Sequence, residues 1–241
     1  MVDYVIVTGA SRGLGLAICQ QAVLEGYGII ALARQFSEPL KLLQQSYPAL
    51  VNYHAADLAD TDSLAALCKQ LVKQYGRPYA LINNAAAGHD GVLATMPNSA
   101  IEHLMQLNIQ APILLCKYLV RSMLLNRRGR VINISSIIAQ TGFNGLSVYA
   151  ASKAALEGFS RSLAREVGKA GITVNCVAPG YMQTDMTSSL EGSKLDSVKR
   201  RSPLGKLATV DDAAAMVVYL LSERASAITG TVMTVDAGST A

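Results

Sequence analysis

Short apolar runs punctuate this chain, and between them lie longer stretches in which apolar positions recur every third or fourth residue. The runs at 3–7, 28–33, 51–55, 79–83, 130–135, 172–177 and 231–235 are mostly continuous rather than alternating, which predicts strands buried on both faces. Helical stretches separate them near 13–26, 38–46, 62–75, 99–126, 148–168 and 210–222. In the first of these Leu16, Ile18, Cys19, Ala22 and Val23 are the apolar positions. Strands alternating with helices predict an α/β fold, a doubly wound parallel sheet of seven strands with helices on both faces. No repeat, low-complexity tract or linker interrupts the pattern, so residues 1–241 are expected to form a single domain. The segment 182–204, rich in Ser, Thr and charge, is expected to be a mobile lid.

Composition adds to this picture. Hydrophobic residues make up 51% of the 241 and charged residues 16%, with no Trp and three Phe, so Ala, Leu, Val and Ile must fill a large core. Part of the apolar excess suits contacts between subunits. The first strand is expected to begin almost at Met1, so no signal or transit peptide is expected. The longest uncharged stretch, 131–152, is broken by Asn133, Ser135, Ser136, Gln140 and two glycines and does not read as a membrane span. A soluble, cytoplasmic protein is expected. Cys19, Cys68, Cys116 and Cys176 form no C-x-x-C pair and fall among apolar neighbours, as buried structural thiols do. His54, His89 and His103 lie far apart, so no metal site is expected.

The formal net charge of +4 is mild. Arg127, Arg128 and Arg130 cluster at the end of a long helix, where cations complement the helix dipole, and Lys199, Arg200 and Arg201 form a second group. No long basic stripe with interleaved aromatics is present, which argues against nucleic-acid binding.

Two segments carry candidate chemistry. After the first strand comes Thr8-Gly9-Ala10-Ser11-Arg12-Gly13-Leu14-Gly15, and then a helix. Gly9 can make a tight turn, Gly13 lets backbone approach a phosphate, and Gly15 permits close packing of helix on sheet. The second strand ends Leu32-Ala33-Arg34-Gln35 without an acid, and Arg12 lies in the glycine-rich turn. Two cations and no carboxylate favour the 2′-phosphate of NADP over the free ribose hydroxyls of NAD. Further along, Tyr149 and Lys153 are four apart and share a helix face, while Ser136 ends a strand-like run. An ammonium beside a phenol favours phenolate and is expected to bring the proton of Tyr149 within reach near neutrality.

These words, T-G-A-S-R-G-L-G, N-N-A-A, Asn108, Ser136, Y-A-A-S-K and Pro179-Gly180, strongly resemble the short-chain dehydrogenase/reductase family over nearly the whole chain. From Ala150 to Thr187 the wording is most similar to 3-oxoacyl-acyl-carrier-protein reductases. The resemblance implies a Rossmann-type fold and NADPH-dependent reduction of a 3-oxoacyl thioester in fatty-acid or related chain synthesis. A dehydrogenase of another secondary alcohol, sugar or polyketide would use the same residues, and a catalytically silent NADP-sensing subunit is a reading of another class. The implied catalytic set is Asn108, Ser136, Tyr149 and Lys153, with Ser136 and Tyr149 also meeting the substrate. NADPH is expected at Gly9, Ser11, Arg12, Gly13, Leu14, Gly15, Arg34, Asp57, Leu58, Asn84, Tyr149, Lys153, Pro179, Gly180, Met182 and Thr184.

Asn108 matches the position that interrupts local helix bonding to hold a water. Ala86 stands where relatives carry Gly, and Ala237 does so near the carboxyl end. The resemblance further implies docking of an acyl carrier protein at Arg127 and Arg128. Ala170 takes the place of a second basic residue, with Lys169 adjacent. A homotetramer through helices 99–126 and 148–168 and the last strand is also implied. Ile113, Leu114, Leu115, Leu119 and Val120 suit either that contact or the core.

Overall fold

The computed structural model describes residues 2–182, 199–200 and 202–241. Seven strands form one parallel sheet in the order β3-β2-β1-β4-β5-β6-β7. They are β1 (Tyr4–Thr8), β2 (Gly28–Ala33), β3 (Val51–Ala55), β4 (Ala80–Asn83), β5 (Gly129–Ile134), β6 (Ile172–Pro179) and β7 (Val232–Val235). The helices are α1 (Gly13–Leu24), α2 (Glu38–Ser46), α3 (Leu64–Tyr75), α4 (Asn98–Met105), α5 (Ala111–Asn126), α6 (Ile138–Thr141), α7 (Ser147–Val167) and α8 (Val210–Leu221).

Two cores sandwich the sheet because successive strand residues point to opposite faces. Val5 and Val7 face α1, α2 and α8, whereas Ile6 between them faces α3, α5 and α7. Ile6, Ile30 and Leu81 are at most 1% exposed, and each such side chain stabilises the fold by about 1.5–3 kcal/mol. All four cysteines are buried without a disulfide, as expected. Among the described residues no helix is long and apolar enough to cross a membrane.

Leu115, Leu119 and Val120 belong to the core, which answers one ambiguity of the sequence, while Ile113 and Leu114 stay half-buried. The expected single helix over 99–126 is in fact α4 and α5 joined by a π turn at Gln106–Gln110. Pro112, in the first turn of α5, has no N–H to close an α-helical bond onto the carbonyl of Asn108. Arg128 also departs from expectation. It makes two 2.9 Å bonds to Asp3, meets Glu223 at 3.0 Å, and lies 4.2 Å over the Tyr79 ring. It is a clamp between β1, β5 and the turn after α8 rather than a cation reserved for a partner.

Candidate active site

β2 and β4 flank β1 on opposite sides, so the connections leaving β1 and β4 diverge and open a crevice at the carboxyl edge of the sheet. The glycine-rich turn lines this crevice. Gly9 sits at φ 66° and Gly13 at φ 53°, a region L side chains rarely adopt. A Cβ on Gly15 would lie 2.2 Å from the Gly9 carbonyl oxygen, so only hydrogen fits there.

Asn84, expected to line a cofactor, has its side chain employed in holding this turn. Its Nδ2 donates to the carbonyls of Thr8 at 2.9 Å and Gly9 at 3.3 Å. Thr8 completes the rivet, its hydroxyl accepting the N–H groups of Asn84 and Ala85, both at 2.9 Å. Sequence reasoning missed Thr8; a Thr opening a glycine turn was the available signal. Ala86 adopts no positive φ, so the methyl there strains no backbone.

Helix α1 begins at Gly13 with Arg12 extended at the N-cap, no side-chain cap and no acid in its first turn. Its positive end is thus left for an anion. The Ser37 hydroxyl donates to the Ser11 carbonyl, and Ala10 N–H donates to Leu32 at 3.3 Å. These bonds hold the turn against the end of β2, where Arg34 is exposed. Glu38, the nearest acid in sequence, pairs with Lys41 at 3.2 Å. Asp57 is exposed and accepts the Ala59 N–H at 3.0 Å, while Leu58 is buried in the core and Leu14 is buried at the start of α1. A turn closed to a Cβ at Gly15, an uncapped helix start and the presence of Arg12 and Arg34 together fit a phosphate-bearing dinucleotide.

Ser136 lies just past the end of β5, close enough to the Tyr149 phenol to lower its proton affinity, and its hydroxyl accepts Ile138 N–H at 3.3 Å. One helical turn beyond Tyr149 on α7, Lys153 is 2% exposed. Its Nζ donates to the Ile134 carbonyl at 2.8 Å and lies 5.5 Å from the Tyr149 ring centre. Burial pulls the Lys153 ammonium down to about 8. Burial likewise pushes the phenol up to about 12, against the lowering by Ser136. The expected lowering of Tyr149 by Lys153 is therefore corrected: desolvation outweighs it, and the group that favours phenolate is Ser136.

The side chain of Asn108, 1% exposed in the π turn, accepts Ala87 N–H and donates to Ala87 O, both at 2.9 Å. It also donates to Ser152 Oγ at 3.1 Å, whose hydroxyl donates in turn to the Tyr149 carbonyl at 2.7 Å. Two short bonds thus connect Asn108 to the first turn of α7. Ser135, beside Ser136, donates to the buried Glu157 at 2.8 Å and accounts for a carboxylate one turn beyond Lys153. Pro179 ends β6 and Gly180 follows, with Met182 half-buried against the core. Thr184 and most of the expected lid at 182–204 lie outside the described residues.

Residues 9–240 match the family model described as enoyl-(acyl carrier protein) reductase. Among curated relatives, the 3-oxoacyl-(acyl-carrier-protein) reductase FabG of Pseudomonas aeruginosa is 36% identical over 239 residues, covering 97% of this chain and 95% of that protein. FabG of Haemophilus influenzae is 36% identical over 236 residues, covering 97% and 96%. Among solved structures, a blue fluorescent protein from a metagenomic library in complex with NADPH aligns with a TM-score of 0.91 at 32% identity, covering 99% of this chain and 98% of that one. A gluconate 5-dehydrogenase from Burkholderia cenocepacia shares the fold with a TM-score of 0.93 at 23% identity, covering 99% and 95%. With its crevice, its Ser136–Tyr149–Lys153 array and these relatives, the chain belongs to the short-chain dehydrogenase/reductase family.

Proposed function

We propose that this protein reduces a 3-oxoacyl thioester, carried on an acyl carrier protein, to the 3-hydroxyacyl thioester with NADPH. The observation that carries the reading is Ser136 beside Tyr149, with the buried Lys153 one helical turn on, in a chain 36% identical to two FabG reductases. NADPH would be held by the turn from Gly9 to Gly15, by Arg12 and Arg34 at its 2′-phosphate, by the segment at Asp57 and Leu58, and by Asn84 through the turn it supports. Pro179, Gly180, Met182 and Thr184 would flank the nicotinamide. When bound, NADPH supplies a hydride to the ketone carbon.

The protein's own groups then manage the oxygen. Ser136 donates a hydrogen bond to it as negative charge develops. Tyr149 donates the proton, and a phenol pushed up to about 12 stays fully protonated at neutral pH, the form a general acid needs. Lys153, its Nζ held by the Ile134 carbonyl at 2.8 Å, would bind the nicotinamide ribose. Asn108, in its π turn, positions a water that resupplies the proton.

An acidic carrier would dock at Arg127, whose Nη2 donates to the Lys169 carbonyl at 3.1 Å and so brings a second cation alongside. Arg128 contributes less than the sequence led us to expect, since it already meets Asp3 and Glu223. Homotetramer formation through α5, α7 and the β7 edge belongs to the same reading.

The test is consumption of NADPH with acetoacetyl thioester, free and carrier-linked, for the wild type and Tyr149→Phe. The variant should bind NADPH normally and lose about 10²–10⁴ in kcat. Substantial turnover by Tyr149→Phe would refute the acid assignment. No activity on either thioester, with NADPH still bound, would move the substrate to another ketone or secondary alcohol.

A further inference from the structure

The chain leaves β6 at Gly180 and comes back at Ser202, and both stems rest on one turn after β7. On the departing side, Gly180 N–H donates to the Val235 carbonyl at 2.9 Å. Gly180 also lies directly on Asp236: a Cβ at 180 would be 2.6 Å from the Asp236 Cβ and 2.8 Å from its Cα. On the returning side, the Ser202 hydroxyl and the Leu204 N–H, the latter at 3.4 Å, donate to the same Ala237 carbonyl. The Pro203 ring abuts Gly238, where a Cβ would sit 3.0 Å from it.

One carboxylate holds that turn. Asp236 Oδ1 accepts Gly238 N–H at 2.8 Å. Its Oδ2 accepts Thr240 N–H at 2.9 Å, the Thr240 hydroxyl at 2.7 Å and the Ser239 hydroxyl at 3.0 Å. Within this clasp Ala237 is kept at φ 57°, in the left-handed region, and its carbonyl is thereby aimed at the returning stem.

We infer that Asp236 is a positioning residue for the nicotinamide side of the cofactor site, setting Pro179–Gly180 and Ser202–Leu204 together through one turn. The inference rests on the reading that Pro179 and Gly180 flank the nicotinamide. Removing the carboxylate frees residues 237–240, so the floor under Gly180 and the acceptor of the returning stem shift as one. Misplacement of groups around a reacting centre by about 1 Å costs up to about 10²-fold in rate, so the effect is kinetic as well as structural.

The experiment compares full-length wild type, Asp236→Ala, Asp236→Asn and Ser202→Ala. Three readouts are taken: NADPH dissociation constant by nucleotide fluorescence, kcat and KM with acetoacetyl thioester, and melting temperature. Asp236→Ala should weaken NADPH about tenfold and lower kcat at saturating NADPH about tenfold. Asp236→Asn should recover most of both, because its amide oxygen can keep the three bonds made by Oδ2. Should Asp236→Ala fail to fold, Ser202→Ala decides alone: it removes a single bond between stem and turn and should alter kcat or KM severalfold. Variants that only melt earlier, with NADPH affinity and kinetics of the wild type, would overturn the inference and leave the reductase reading standing. A wild type that binds no NADPH would overturn both.

Discussion

Replacing Lys153 by Met tests how the site is built against the interest of the fold. The ammonium titrates at about 8 in the folded chain, against an ordinary 10.5, because burial disfavours its charge. Between those two values the folded protein binds fewer protons than the unfolded chain, so stability rises with pH through that window. Below it the buried charge opposes folding in full. At about 1.36 kcal/mol per pH unit, the opposition amounts to about 3 kcal/mol at pH 7 and about 1 kcal/mol at pH 9.5. Met is of similar length and carries no charge, but it forfeits the 2.8 Å bond to the Ile134 carbonyl, a loss of about 1 kcal/mol.

Lys153→Met should therefore be more stable than wild type by about 2 kcal/mol at pH 7, raising the melting temperature by about 4–8 °C for a chain of this size. At pH 9.5 the advantage should largely vanish. Denaturant unfolding of both proteins without nucleotide, followed by circular dichroism at the two pH values, measures it. Catalysis should be lost in the same variant. A variant less stable at pH 7, or an advantage that does not shrink by pH 9.5, would refute the reasoning.

Other outcomes follow from single contacts. Ala237→Gly relieves a left-handed Ala at φ 57° and should stabilise by about 0.5 kcal/mol net, after the greater chain entropy of Gly; a lower melting temperature would contradict it. Gly15→Ala places a methyl 2.2 Å from the Gly9 carbonyl and should abolish NADPH binding in a fluorescence titration while costing about 1–3 kcal/mol of stability. Arg128→Ala breaks the clamp on Asp3, Glu223 and Tyr79, and with its side chain 46% exposed the loss should be about 1 kcal/mol in a denaturant melt. Its KM for a carrier-linked thioester should stay at the wild-type value, and a selective rise would restore Arg128 to carrier docking.

Much of the fold was legible because its signals are local. The runs at 28–33 and 51–55 and the helix at 38–46 form with the expected bounds, since continuous apolar strands and amphipathic periodicity need no distant partner to be seen. The π turn at Gln106–Gln110 was legible only through the resemblance at Asn108, because apolar spacing runs through it unchanged while Pro112 and the bonds of Asn108 decide the backbone. The short α6 was also missed, as four residues carry too little periodicity to register.

The sequence by itself determined the alternation of strands and helices, the glycine turn and the Tyr149–Lys153 pair, all properties of neighbours along the chain or of one helix face. Only the tertiary structure decided what those groups feel and which residues hold them. Asn84 can rivet the glycine turn because β4 lies beside β1, and Asp236 can seat Gly180 because β7 lies beside β6. The proton affinities of Tyr149 and Lys153 depend on how deeply each is buried, and desolvation reverses the direction for Tyr149 that charge proximity alone would predict. Burial is a property of the assembled sheet and its two helical layers, and no stretch of sequence contains it.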